Sequence, residues 1–374
     1  MIKNLLMRIY LKTFKVSNPK FQDKKIDEID YDELQLMYKE LDNSSEIYQP
    51  SKLWVKLSEI HEKRLQKFGM NNFKRTLITD YSHFPPFPDK SFRRIFSLWI
   101  KKPSSNVLKQ TQENLGILRY AGYYLSLNGL LGMYYSFYVK IFYELIKEID
   151  TLKILEKYEE PQYGNPIKIS HGKIKLSYDQ CSSVMEYYEI MNKIPEELKN
   201  KKIIVGELGA GYGKLAHVFL NTHNCKYIIF DIPPTLHIAQ NYFSKIFPKD
   251  KIMKFRHFEN FEEIKNEFEK SQICFFTPNQ LEQFPKDMVD LFINISSLHE
   301  MRKDQIENFH NLINHITNGY FFSKQYPNKM KLPEELSGAY EISFKDYPIP
   351  KNWQVIFKEN AKINPRFVNT LYKI

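Results

Sequence analysis

Three glycines at every second position, Gly209, Gly211 and Gly213, follow an apolar run and precede a helical pattern in IIVGELGAGYGKLAHVFL. Glycine in such a strand-to-helix turn lets the backbone approach a ligand that side chains would hold off. A nucleotide cofactor is implied, and Glu207 narrows which one. Dinucleotide sites use GxGxxG and lay a pyrophosphate on the helix N-terminus, where a carboxylate would repel it. No GKS or GKT ending is present, which excludes a Walker A loop. A cofactor with an ammonium near a sulfonium, and no phosphate, is attracted instead, which describes S-adenosylmethionine. Asp231 ends the next apolar run, eighteen residues after Gly213, where an acid can accept from both ribose hydroxyls. Asn279 and Gln280 leave the third run as amides suited to an adenine edge.

Methyl transfer from a sulfonium needs an in-line acceptor oxygen and a base. His299 and Glu300 stand together in SSLHEM, after the fourth apolar run. A histidine titrates near neutrality and a neighbouring carboxylate raises its basicity, so an apparent pKa at or above about 6.5 is expected. The alternative is a histidine that caps a helix beginning near 304. Asp287 and Asp290 precede the fourth run instead of following it, so no metal is expected. The Asp231-Ile-Pro-Pro sequence falls at the second run, which argues against an enzyme acting on flipped bases. Tyr163, Gly164, Asn165, Pro166 and Asp179 offer the amide, carboxylate and aromatic groups that hold sugars, although turn chemistry explains most of them equally well.

The elements that must position these residues follow from periodicity. Apolar spacing of three and four predicts helices over 31–41, 52–68 and 117–149, and another near 180–193. Turn dipeptides around short alternating runs predict a hairpin-like connector over 159–180. From 202 onward the pattern is a parallel sheet covered by helices: strands at 202–208, 227–231, 272–276, 289–295 and 319–324, helices at 214–221, 236–247 and 304–316. Two runs, 353–358 and 367–374, suit antiparallel pairing at one edge. Three consecutive segments are expected: a helical substrate or cap region over 1–157, an acceptor-site connector over 158–200, and the cofactor-binding α/β domain over 201–374.

With 374 residues, 43% of them hydrophobic, the chain can bury two cores, and wholesale disorder is excluded. Cys181, Cys225 and Cys274 form no CxxC pair, which suits a reducing, cytoplasmic setting. The net charge of +10 is concentrated: 61–120 holds twelve Lys or Arg, including Lys63, Arg64, Lys67, Lys74, Arg75, Arg93, Arg94, Lys101 and Lys102, against four acids. Such a segment is either a solvated surface or a landing site for a phosphate-bearing acceptor or the inner face of an anionic membrane. No zinc spacing or RNP-type motif accompanies it, so no nucleic acid partner is expected. The uncharged run 120–139 has a bilayer's length, but its tyrosines, Asn128 and glycines keep it too polar to span one.

ELGAGYG, FDIPP and DLFINISSLHEM resemble the class I S-adenosylmethionine-dependent methyltransferases, and EPQYGNP and SYDQ extend the likeness, over about 158–330, to the bacterial putative sugar O-methyltransferases. The resemblance implies a Rossmann-like, mostly parallel sheet of seven strands with the last antiparallel, and a pocket roofed by N-terminal helices. It also implies a sugar hydroxyl as methyl acceptor, in a surface polysaccharide or its precursor. SSLHEM is similar to the His-Asp pair of plant-type small-molecule O-methyltransferases, with Glu300 in place of Asp, so a phenolic or hydroxylated metabolite is the alternative acceptor. A non-catalytic cofactor-binding interaction protein is the reading from another class.

Overall fold

The computed structural model describes residues 16–17, 27–77, 130–330, 332, 334–362, 364 and 366–374. The chain forms two compact units that interleave along the sequence: Met1–Glu28 with Arg64–Tyr188, and Ile29–Lys63 with Glu189–Ile374. This division departs from the three consecutive segments expected. The stretch 29–63 groups with the sheet because its apolar side chains, Leu41 and Tyr48 among them, enter the sheet's core.

In the first unit, β1 (Val16–Ser17), β2 (Lys168–His171) and β3 (Ile174–Ser177) form a small antiparallel sheet. The β2–β3 pair is the expected hairpin, turned at Gly172 with φ +60°. The helix Leu130–Lys147 occupies the described part of the long helix expected over 117–149. Its Tyr135 hydroxyl donates to the Ile167 carbonyl at 2.6 Å and accepts the Tyr178 amide at 3.0 Å. Part of the basic segment is internal. Lys74 is 3% exposed and pairs with Glu160 at 2.6 Å, and burial of Arg75 lowers its pKa. These two cations are therefore packing elements and not a surface; Arg93, Arg94, Lys101 and Lys102 lie outside the described residues.

The second unit carries the Rossmann-like sheet: β4 (Ile203–Leu208), β5 (Cys225–Phe230), β6 (Ile252–Met253), β7 (Ile273–Phe276), β8 (Val289–Ile295), β9 (Thr317–Gln325), β10 (Gln354–Asn360) and β11 (Val368–Lys373). Their order is β10-β11-β9-β8-β4-β5-β7-β6, parallel from β9 through β6, with β11 antiparallel to both neighbours. Eight strands replace the seven expected. The additional one is β6, two residues on the outer edge, too short to show a period. The inner strands are buried along their length, which is why they read as continuous apolar runs. Ile228, Phe230, Phe276 and Phe292 meet Ile306, Phe309 and Ile313 of the helix Lys303–Ile316 in one core. Among the described residues no helix is long and apolar enough to cross a membrane.

Candidate functional site

The carboxyl ends of four adjacent strands, β8, β4, β5 and β7, present the chemistry. After β4 the loop glycines Gly209, Gly211 and Gly213 adopt φ of +74°, +60° and +80°, a conformation that L side chains rarely adopt. Packing requires two of them as well. A Cβ on Gly209 would run into the Ser297 side chain, and one on Gly213 would come within 2.6 Å of the Phe243 ring. The Gly209 amide donates to the Phe230 carbonyl at 2.8 Å, tying the loop to the end of β5.

Asp231, the residue after β5, clamps this loop. Its two carboxylate oxygens accept the Gly211 and Ile232 amides, each at 2.8 Å. Burial pushes its pKa up to about 7 against the lowering effect of those two amides. Each oxygen has acceptor capacity left, so the group can hold the loop and a pair of hydroxyls together.

Among the buried polar atoms on the same edge with no hydrogen-bond partner in the described residues are Asn279 Oδ1, past β7, and Ser296 Oγ, past β8. Ser296 is also left-handed, with φ +60°, which is costly outside glycine and collects at ligand sites. A polar ligand along this edge would satisfy both atoms, so the residues fit a nucleoside with an amino-acid end. The remaining predicted cofactor residues are engaged within the fold. Glu207 is buried on β4 and accepts the Tyr227 hydroxyl of β5 at 2.7 Å. Gln280 accepts the Thr277 amide at 3.1 Å and donates to the Arg256 carbonyl at 2.8 Å. Both ends of that amide are taken, so Gln280 caps a turn. Asn279 spends its NH2 on Glu40 at 2.8 Å and keeps only Oδ1.

His299 and Glu300 lie in the single turn Leu298–Glu300 after β8. The helix Lys303–Ile316 begins at Arg302, whose amide is met by Gln305, so His299 is no cap. His299 is 4% exposed, among the rings of Tyr326, Tyr340 and Phe367. Its Nδ1 lies 3.1 Å from Gln325 Oε1, and its Nε2 lies 3.9 Å from Glu300 Oε1. The expected rise in basicity is reversed. Burial lowers the pKa from 6.5 to about 4, and the Gln325 contact only partly opposes it. Glu300 is placed by the Trp54 indole N–H at 2.7 Å and the Tyr340 hydroxyl at 3.3 Å. Sequence reasoning missed Ser296, Gln325 and Trp54. Only Ser296 had a local signal, its place directly after a strand.

The predicted acceptor residues belong to the first unit. The Tyr163 hydroxyl donates to Asp27, and its ring lies against Phe73. Asn165 is fully buried, with φ +56°, and donates to Asn72 Oδ1 at 2.8 Å. Asp179 is buried in the first turn of the helix Tyr178–Met191. Among the described residues no three His, Cys, Asp or Glu side chains gather as metal ligands.

A mostly parallel sheet, a left-handed glycine loop after its central strand and an acid after the next define a Rossmann-like α/β protein. No family model matches the chain, and no curated protein matches it. Solved structures resemble it at low identity. Mitomycin 7-O-methyltransferase MmcR shares 11% identity over 46% of this chain and 48% of that chain, with a TM-score of 0.33. The pyocyanin biosynthetic protein PhzM shares 11% over 52% and 56%, with a TM-score of 0.35. A SAM-dependent methyltransferase of Leishmania major shares 13% over 51% and 71%, with a TM-score of 0.37. The chain thus spans about half the length of the first two. At such identities the fold class rests on the strand order and the glycine loop themselves.

Proposed function

We propose that this chain binds S-adenosylmethionine and transfers its methyl group to an oxygen, with a sugar hydroxyl in a surface polysaccharide or its precursor as the acceptor. The observation that carries the reading is the row of ligand-ready groups on one sheet edge: the Asp231-clamped glycine loop flanked by the unpartnered Asn279 Oδ1 and Ser296 Oγ. The ELGAGYG, FDIPP and SSLHEM passages support the cofactor, and the resemblance over 158–330 supports the sugar.

S-adenosylmethionine supplies, when bound, a methyl group whose bond to sulfur breaks with the electron pair left on sulfur. The chain's part is to hold and to accept a proton. Asp231 takes the ribose hydroxyls, Asn279 Oδ1 the adenine amine, and the loop amides the rest of the nucleoside. His299 Nε2 takes the proton that the acceptor hydroxyl releases as its oxygen bonds to carbon, and Glu300 pairs with the resulting imidazolium.

One observation favours a second acceptor class. A base held at about 4 among three aromatic rings is better matched to a phenol than to a sugar hydroxyl, because the phenol gives up its proton more readily. S-adenosylhomocysteine release, measured with cell polysaccharide, with phenols and with no acceptor, separates the two and also tests turnover. Folded protein that binds NADH but neither S-adenosylmethionine nor S-adenosylhomocysteine would remove the proposal.

A further inference from the structure

We infer that Gln325 is a positioning residue of this reaction: its side-chain amide holds His299 in the tautomer protonated on Nδ1, leaving Nε2 free to accept a proton. The role in chemistry rests on the methyl-transfer reading; the tautomer rests on hydrogen bonds alone.

Asn294 is fully buried on β8. Its Nδ2 donates to the Leu208 carbonyl at 2.9 Å and to Ser297 Oγ at 2.7 Å, and its Oδ1 accepts the Leu298 amide at 3.2 Å. A carbonyl can only accept and an amide N–H can only donate, so the Asn294 side chain has one orientation. Its Oδ1 and its backbone carbonyl then face Gln325 Nε2 at 2.6 and 3.2 Å. Two acceptors require the NH2 there, which turns Gln325 Oε1 toward His299. That oxygen accepts the His299 backbone amide at 3.3 Å and lies 3.1 Å from Nδ1. An amide oxygen beside a ring nitrogen is attractive only when that nitrogen carries the proton.

One contact opposes this choice. The Tyr326 amide points at the same Nδ1 from 3.3 Å and would favour the other tautomer. Gln325 Oε1 is the closer of the two, and Asn294 leaves its amide no freedom to flip, so the Nδ1–H form prevails. Among the described residues, the titratable groups against the ring are Glu300, Tyr326 and Tyr340, and Phe367 adds an apolar wall. Glu300 Oε1, 3.9 Å from Nε2, is too far to hold a neutral ring and suits the imidazolium formed after proton transfer. With its pKa lowered to about 4, the ring is neutral at pH 7, so the tautomer decides which nitrogen is basic.

The test is the nitrogen spectrum of histidine-labelled protein, recorded on the free protein and again with S-adenosylhomocysteine added. His299 is assigned among the ten histidines by its loss in His299→Asn. The wild type should show Nδ1 protonated and Nε2 bare. In Gln325→Met the Tyr326 amide is left alone at Nδ1, so the ring should move to the Nε2–H form. Turnover should then fall about 10²-fold or more, as expected when a base is held in the wrong tautomer, while S-adenosylhomocysteine affinity stays within about twofold. A bare Nδ1 in the wild type, or an unchanged tautomer in folded Gln325→Met, overturns the inference. If Gln325→Met does not fold, the wild-type spectrum decides alone. Absence of S-adenosylhomocysteine binding would instead remove the methyl-transfer reading, which the tautomer measurement does not test.

Discussion

Asp231→Asn should weaken cofactor binding while leaving the free protein no less stable at alkaline pH, because two opposed energies meet at this carboxylate. Burial raises its pKa from 3.8 to about 7, which costs the ionised form about 4 kcal/mol relative to the unfolded chain. A raised carboxyl contributes stability below its unfolded value, and that contribution is lost as pH rises through 3.8 toward about 7. Asparagine cannot ionise and escapes the cost, but it offers one acceptor atom where Gly211 and Ile232 present two amides, a loss of about 1 to 3 kcal/mol. Near pH 8 the variant should therefore unfold at the wild-type temperature or above it, and near pH 5 below it. Binding moves the other way. A carboxylate that accepts ribose hydroxyls gains about 1.5 to 3 kcal/mol over a neutral amide, so S-adenosylhomocysteine should bind roughly tenfold to a hundredfold more weakly. Wild-type affinity should also fall about tenfold per pH unit below about 7, because the protonated form must give up its proton to bind. Calorimetry at pH 6, 7 and 8, in buffers of different ionisation enthalpy, measures both effects. Wild-type affinity that is flat over this range, or a variant with the wild-type slope, would refute the ribose role.

His299 and His310 are both buried neutral with pKa lowered to about 4, so the folded state resists protons that the unfolded chain takes up near 6.5. The stability present above 6.5 is lost as pH falls toward 4, by about 3 kcal/mol for each ring. Urea midpoints against pH should show this acid limb, shallower in His310→Phe; an identical limb there would assign it elsewhere. His299→Ala should cost about 10² to 10⁴ in turnover with cofactor affinity unchanged, and retention of more than about a tenth would place the base elsewhere. Gly213→Ala and Gly172→Ala share a positive φ but differ in room. The first meets Phe243 at 2.6 Å and the second meets nothing within 4 Å. Denaturant titration should find about 1 kcal/mol for Gly172→Ala and a clearly larger loss for Gly213→Ala; equal losses would mean that Phe243 yields freely.

Features with local causes are legible in the residues themselves. The helices 52–68 and 31–41 and the strand 289–295 could be read because apolar spacing reflects the face each segment buries. The glycine loop was legible too, since left-handed backbone at Gly209, Gly211 and Gly213 demands that residue type wherever the chain runs. Tertiary structure alone decided matters that depend on which distant groups meet. Nothing near Lys74 announces that Glu160 will bury it, and nothing near Glu300 announces Trp54. The two-residue β6 exists only because β7 offers it an edge. His299 shows the limit most clearly. Its neighbour in sequence, Glu300, suggested a more basic ring, yet desolvation outweighs a carboxylate 3.9 Å away, and the hydrogen bond that orients it comes from Gln325 at the end of β9. Burial is a property of the packed chain, so the protonation state of a residue whose type and position were plain in the sequence was settled only by the fold.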